Sequence, residues 1–148
     1  MQFETILSNR HRVPATIQIL LLLLVAPLVA SANVSVVLQG QSRSDTNWTS
    51  GNLMGWRELD YIPVRVLITG GPTANQAIRV DFEHMNGSKP GLQNLTGFFA
   101  STNVTITSGP TLSAPVNSGT WSYSFTVSLT NNTQGFVEFR ARLLAGLF

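Results

Sequence analysis

The sequence predicts an all-β fold, an antiparallel sandwich of about seven strands, and three observations predict it. Between Thr120 and Thr130, Trp121, Tyr123, Phe125, Val127 and Leu129 alternate with Ser and Thr. Side chains of a strand point alternately to opposite faces, so this run has one apolar face and one hydroxyl-bearing face. That is the pattern of an antiparallel strand with a core on one side and water on the other. The same alternation recurs along the chain, and no helical period appears after the apolar leader. Gly, Pro and Asn clusters separate the alternating runs at short intervals.

The leader comes first. Arg10, His11 and Arg12 precede an apolar run from Ile17 to Val29, broken in polarity only by Gln18 and ended by Pro27 and Ala30-Ser31-Ala32. A positive segment, a short apolar stretch and a small-x-small site constitute a secretory signal peptide. The expected parts are a signal peptide over 1–32, cleaved between Ala32 and Asn33, and one domain over 33–148. The rival is an uncleaved anchor, but about 16 apolar residues fall short of the ~20 that span a bilayer.

Val34 to Leu38 reads as the first strand. A long loop from Gln39 to Asp60 follows, carrying Trp48, Met54 and Trp56. Its length marks it as functional or as hiding a short element. Ile62 to Thr69 puts Val64, Val66 and Ile68 on a core face, with Pro63 tolerable near the strand start. Ala77 to Glu83 places Ile78, Val80 and Phe82 inward and Arg79, Asp81 and Glu83 outward. His84 to Gln93 is a loop with turn signals at Asn86-Gly87 and Pro90-Gly91. Leu95 to Ala100 and Val104 to Thr107 are two short strands. Phe136 to Leu144 turns Val137, Phe139, Ala141 and Leu143 to one face and Glu138, Arg140 and Arg142 to the other. The tight polar connection from Asn131 to Gly135, five residues including a glycine, links this run to the preceding strand and predicts a hairpin between the two. Seven such strands match an immunoglobulin-like sandwich in architecture, without the Cys…Trp…Cys spacing of antibody domains.

Composition narrows the function classes. Charged residues make up 11% of the chain, against about 25% in an average soluble domain. Of nine Lys and Arg, Arg10 and Arg12 belong to the leader, and of seven Asp and Glu so does Glu4. The domain is therefore close to neutral and carries no clustered basic patch for nucleic acid. Cysteine is absent, so the core alone must hold an exported chain, a habit closer to bacterial than to animal secreted proteins. The expected location is the exterior or the cell envelope, with membrane contact only through an uncleaved leader.

The candidate ligand-binding residues are Trp48, Trp56 and Tyr61, whose rings could stack on sugar. The competing reading tucks Trp56 and Tyr61 under the loop as a satellite core. Asp81 with Glu83, and Asp45, Glu58 and Asp60 near the long loop, are carboxylates of the kind that serve glycoside hydrolysis or calcium. Arg79 on the same face, and Glu138, Arg140 and Arg142 on a facing strand, make a charge ladder the simpler expectation. His84 is the only histidine after the leader. With no cysteine it offers no zinc set, and neither a nucleophile elbow nor a phosphate loop is present. No enzymatic activity and no cofactor are expected. Asn-x-Ser/Thr sequons begin at Asn33, Asn47, Asn86, Asn94, Asn103 and Asn131, acceptors only where the host glycosylates.

The stretch Gly51-Asn52-Leu53-Met54-Gly55-Trp56-Arg57-Glu58-Leu59-Asp60-Tyr61-Ile62-Pro63-Val64-Arg65 resembles the opening of an immunoglobulin-like module of large secreted bacterial surface proteins. Trp121 to Val127 and Gly135 to Leu143 resemble its closing hairpin. The resemblance implies a non-catalytic structural or adhesive surface protein, with polysaccharide or other surface proteins as partners. A carbohydrate-binding module is the alternative. With the apolar end at Leu144-Ala145-Gly146-Leu147-Phe148, the resemblance leads to the expectation of a truncated or shortened member, in which an edge strand would lack its partner.

Overall fold

The computed structural model describes residues 34–131 and 133–146, so the leader and its cleavage site at Ala32 and Asn33 lie outside the described residues. Every element described is a strand: β1 (Ser35–Gly40), β2 (Tyr61–Thr69), β3 (Thr73–Glu83), β4 (Met85–Asn86), β5 (Lys89–Pro90), β6 (Leu92–Ala100), β7 (Val104–Ser113), β8 (Thr120–Leu129) and β9 (Gly135–Leu143). A four-stranded sheet runs β1-β2-β9-β6, a three-stranded sheet runs β3-β8-β7, and β4 and β5 form a small ribbon. All pairings are antiparallel.

The two larger sheets share one core. Ile68, Val66 and Val137 from the first and Leu129 and Val127 from the second are fully buried. These are the alternate residues that the polar periodicity singles out. On β8, Phe125, Val127 and Leu129 are buried while Ser124 is exposed. On β3, Ile78, Val80 and Phe82 are buried between exposed Arg79, Asp81 and Glu83. Phe98 of β6 bridges the layers, with its ring 5.8 Å from Phe125 and 5.0 Å from Phe139. Burying one large aromatic from each direction supplies more apolar area than aliphatic pairs of the same count.

The hairpin expected between the last two long strands does not form. β8 pairs with β3 and β7, whereas β9 pairs with β2 and β6. The short connection between them crosses from one sheet to the other. Five residues can bridge the roughly 10 Å between packed sheets as easily as they can close a hairpin. Two runs that each have an apolar face bury more by facing each other than by lying side by side. The expected ladder between Asp81 or Glu83 and Glu138, Arg140 or Arg142 falls with it, because β3 and β9 belong to different sheets. Opposite Arg79, Asp81 and Glu83 stand Ser124, Ser122 and Thr120, and Asp81 instead pairs with Arg79 of its own strand at 2.7 Å.

Taking the seven long strands in sequence, the sheets read first-second-seventh-fourth and third-sixth-fifth. The constant-type immunoglobulin order has the fifth and seventh exchanged. Both crossings at this end are tied together at Asn103. Its amide donates to the Thr133 hydroxyl and the Gln134 carbonyl, each at 3.1 Å, and Ser101 Oγ donates to its Oδ1 at 2.8 Å. Gly135 completes the corner, since a Cβ there would lie 2.3 Å from Val104 Cγ2.

Candidate functional site

The sheets differ in width, and that difference creates the most site-like feature of the domain. β3 is the outer strand of the narrower sheet, so β1 of the wider sheet has no strand above it. In register, Val36 stands beside Ile68, Leu38 beside Val66 and Gly40 beside Val64, so all three point to the core side. Val36 is nevertheless 45% exposed and Leu38 49%. Between the β1 and β3 edges opens a cleft of about 430 Å³, with Leu38, Leu53, Val64, Phe82, Leu92 and Leu143 in its walls. Its lining is mostly apolar, the chemistry of sites that take apolar partners by burial.

The long loop closes one end of this cleft. Gly40 bonds Thr49 in both directions, through its N–H at 2.8 Å and its carbonyl at 2.9 Å. The Met54 carbonyl accepts from Arg43 N–H at 3.0 Å, and Trp56 Nε1 donates to the Gln41 carbonyl at 2.8 Å. These bonds lay Leu53 over Gly40, where a Cβ would meet Leu53 Cδ1 at 2.4 Å. Glycine is required here by close approach, not by its backbone angle.

The three loop aromatics do not converge. Trp48 lies under the Arg65 guanidinium at 4.4 Å, on the solvent side of the wide sheet. Trp56 is half-buried and packs against the core, as the satellite reading expects. Tyr61 is exposed and lies 5.5 Å from the Arg142 guanidinium, so that reading does not extend to it. Sequence reasoning missed two further rings. Phe136 lies 5.8 Å from Arg65, and Phe99, 57% exposed, lies 6.0 Å from Phe136. Trp48, Arg65, Phe136 and Phe99 thus form a row across the outer face of the wide sheet. The adjacent pair Phe98-Phe99 was the available signal, since neighbours on a strand must point to opposite faces.

The carboxylates are occupied locally. Asp45 accepts from the N–H and the side-chain amide of Asn47, at 2.9 and 2.8 Å. Asp60 accepts from Arg57 N–H at 2.9 Å and pairs with Arg43 at 3.4 Å. Glu83 accepts from Asn86 at 3.2 Å. Among the described residues no three His, Asp or Glu side chains gather where a metal ion could sit. His84 stacks on Trp121 at 3.5 Å, with Nδ1 2.9 Å from the Leu92 carbonyl. A carbonyl only accepts, so that nitrogen carries the proton and the ring serves as a packing piece at the β3 end.

Comparison of the chain with protein-family models, with curated proteins and with solved structures gave no match.

Proposed function

We propose that this chain is a secreted or cell-surface structural or adhesive module, a sandwich immunoglobulin-like in its two-sheet architecture but not in its strand order, without catalytic activity, of the kind found in bacterial surface proteins. The observation that carries the reading is the open apolar cleft between the β1 and β3 edges. A domain of this size that leaves Val36, Val37 and Leu38 in solvent gains by covering them with a partner. The leader expected over 1–32 supports an extracytoplasmic location. The test is retention of the purified protein on washed cell envelopes, compared with Leu38→Asp. Loss of retention on that substitution supports the reading, and equal retention of both proteins refutes an adhesive role for the cleft.

The row of Trp48, Phe136 and Phe99 favours a second reading, binding to polysaccharide by ring stacking. Trp48→Ala with Phe99→Ala separates the two, because neither residue lines the cleft. Insoluble polysaccharide that holds the wild type and releases this double variant would select the carbohydrate-binding alternative. Trp56→Ala and Tyr61→Ala complete the comparison with the loop set.

A further inference from the structure

The four outer strands of the two larger sheets are unequally protected. An exposed strand edge is a template for pairing with another chain, and proteins blunt it with charges, bulges or proline. β3 carries Arg79, Asp81 and Glu83 and a register shift between Thr73 and Gln76. β6 is interrupted twice, between Leu92 and Asn94 and between Thr96 and Phe99. β7 is interrupted twice and contains Pro110. β1 has none of these. It keeps register with β2 through six successive pairs, from Ser35 to Gly40, and its sequence Ser-Val-Val-Leu-Gln-Gly is uncharged.

The directions of its backbone groups can be read from its end. Gly40 turns its N–H and carbonyl away from β2, to Thr49. Residues two apart on a strand point the same way, so Val36 and Leu38 also direct their N–H and carbonyl groups outward. Among the described residues nothing accepts or donates to them there. The side chains of the same two residues are the exposed ones on the core side, and Val37 is 40% exposed on the outer side.

We infer that β1 pairs antiparallel with β1 of a second copy of this chain, about a two-fold axis at Val37. This inference rests on the reading of the domain as a binding module and names its partner. Only registers that set outward backbone groups against outward ones are allowed. Gly40 is already bonded to Thr49, so it takes no part in the ladder, whose bonds are confined to Val36 and Leu38. With Val37 on the axis, Val36 bonds Leu38 of the second copy and Leu38 bonds its Val36. Val37 faces Val37 on the opposite side of the sheet. Shifting the axis to Val36 would set Val37 against Ser35 and lose that apolar match. The self-facing register places an apolar side chain opposite every exposed apolar side chain, and neither strand brings a charge to repel the other. Such a contact is isologous and closes at two copies. It is short, so the dimer is a weak one.

Sedimentation of the chain as recovered after secretion, with its intact mass measured, tests this over concentrations up to roughly millimolar, the weak end of association. The wild type shifts from monomer to dimer. Val37→Lys and Val37→Glu each weaken self-association by about tenfold or more, because like charges then face each other across the axis. An equimolar mixture of the two variants recovers the dimer, since an ammonium on one copy then faces a carboxylate on the other. Val36→Lys supplies a second monomeric variant should substitution of Val37 disturb the fold, which the urea midpoint of each variant reports. A wild type monomeric throughout the range, with or without the leader, overturns the inference. So does a mixture that stays monomeric while the wild type dimerises. Envelope retention by a strictly monomeric wild type leaves the module reading standing and removes only this partner. A dimer that fails to bind envelopes does the reverse.

Discussion

Asn103→Ala removes the side chain that ties the two sheet crossings at one end of the sandwich. The wild-type amide makes donor bonds of 3.1 Å to Thr133 Oγ1 and to the Gln134 carbonyl, and a longer one of 3.4 Å to Asn131 Oδ1. Its carbonyl oxygen accepts from Ser101 Oγ, which itself accepts from Phe136 N–H at 3.0 Å. Three well-formed bonds at about 0.5–1.5 kcal/mol net each bracket a loss of roughly 1.5–4.5 kcal/mol. The Thr133 and Gln134 bonds lie near the surface, where water replaces the lost donor, so the expected loss is about 2 kcal/mol. Urea unfolding followed by tryptophan fluorescence reads this as a lower midpoint at unchanged slope. Asn103→Asp sharpens the test. It keeps an acceptor for Ser101 but points negative oxygen at the Asn131 oxygen and the Gln134 carbonyl, so it destabilises at least as much as alanine. A loss below about 0.5 kcal/mol for Asn103→Ala, under the range of a single net hydrogen bond, would show that the corner is held by packing alone and refute the reasoning.

Gly135→Ala places a methyl 2.3 Å from Val104 Cγ2 and 3.0 Å from Leu129 Cδ1, and overpacking of this kind costs about 1–3 kcal/mol; urea titration of the soluble fraction reads it. Trp56→Phe keeps the packing but deletes the 2.8 Å bond to the Gln41 carbonyl, which lowers stability by about 1 kcal/mol and loosens the loop to limited proteolysis before global unfolding. In a glycosylating expression host, Asn47 and Asn86, exposed and each with its amide nitrogen in one surface bond, to Asp45 and Glu83, carry glycan, whereas Asn103, half-buried with its amide nitrogen bonded to both Thr133 and Gln134, does not; peptide mass mapping reads each site. Intact mass of secreted protein corresponds to residues 33–148, and retention of residues 1–32 would replace the signal peptide with an anchor.

The strands and the faces they bury were legible because the physics involved is local. Alternation in β3, β8 and β9 matched the buried rows, and the small Ser122 is buried although it lies on the opposite, hydroxyl-bearing face of β8. Asn86-Gly87 marked the turn of the β4–β5 ribbon, with Gly87 at φ 63°. β7 runs longer than its expected end at Thr107, since register shifts beside Ser108 carry the pairing past Gly109 and Pro110. Partner choice was not legible. The 130–134 connection has the length and polarity of a hairpin loop, and nothing in its residues distinguishes a turn within one sheet from a crossing between two. That choice depends on Phe98, Asn103 and Val104, which lie far upstream in the chain.

The sequence by itself determined an all-β chain, the apolar face of each strand, and the scarcity of charge. Period-two alternation and turn chemistry act between near neighbours. Only the tertiary structure decided that β9 lies beside β2, that the two sheets differ in width by one strand, and that Val36, Val37 and Leu38 are left in solvent. Those outcomes follow from how whole faces share one core. An apolar residue reads the same in a sequence whether the fold provides it with a cover or leaves it for a partner.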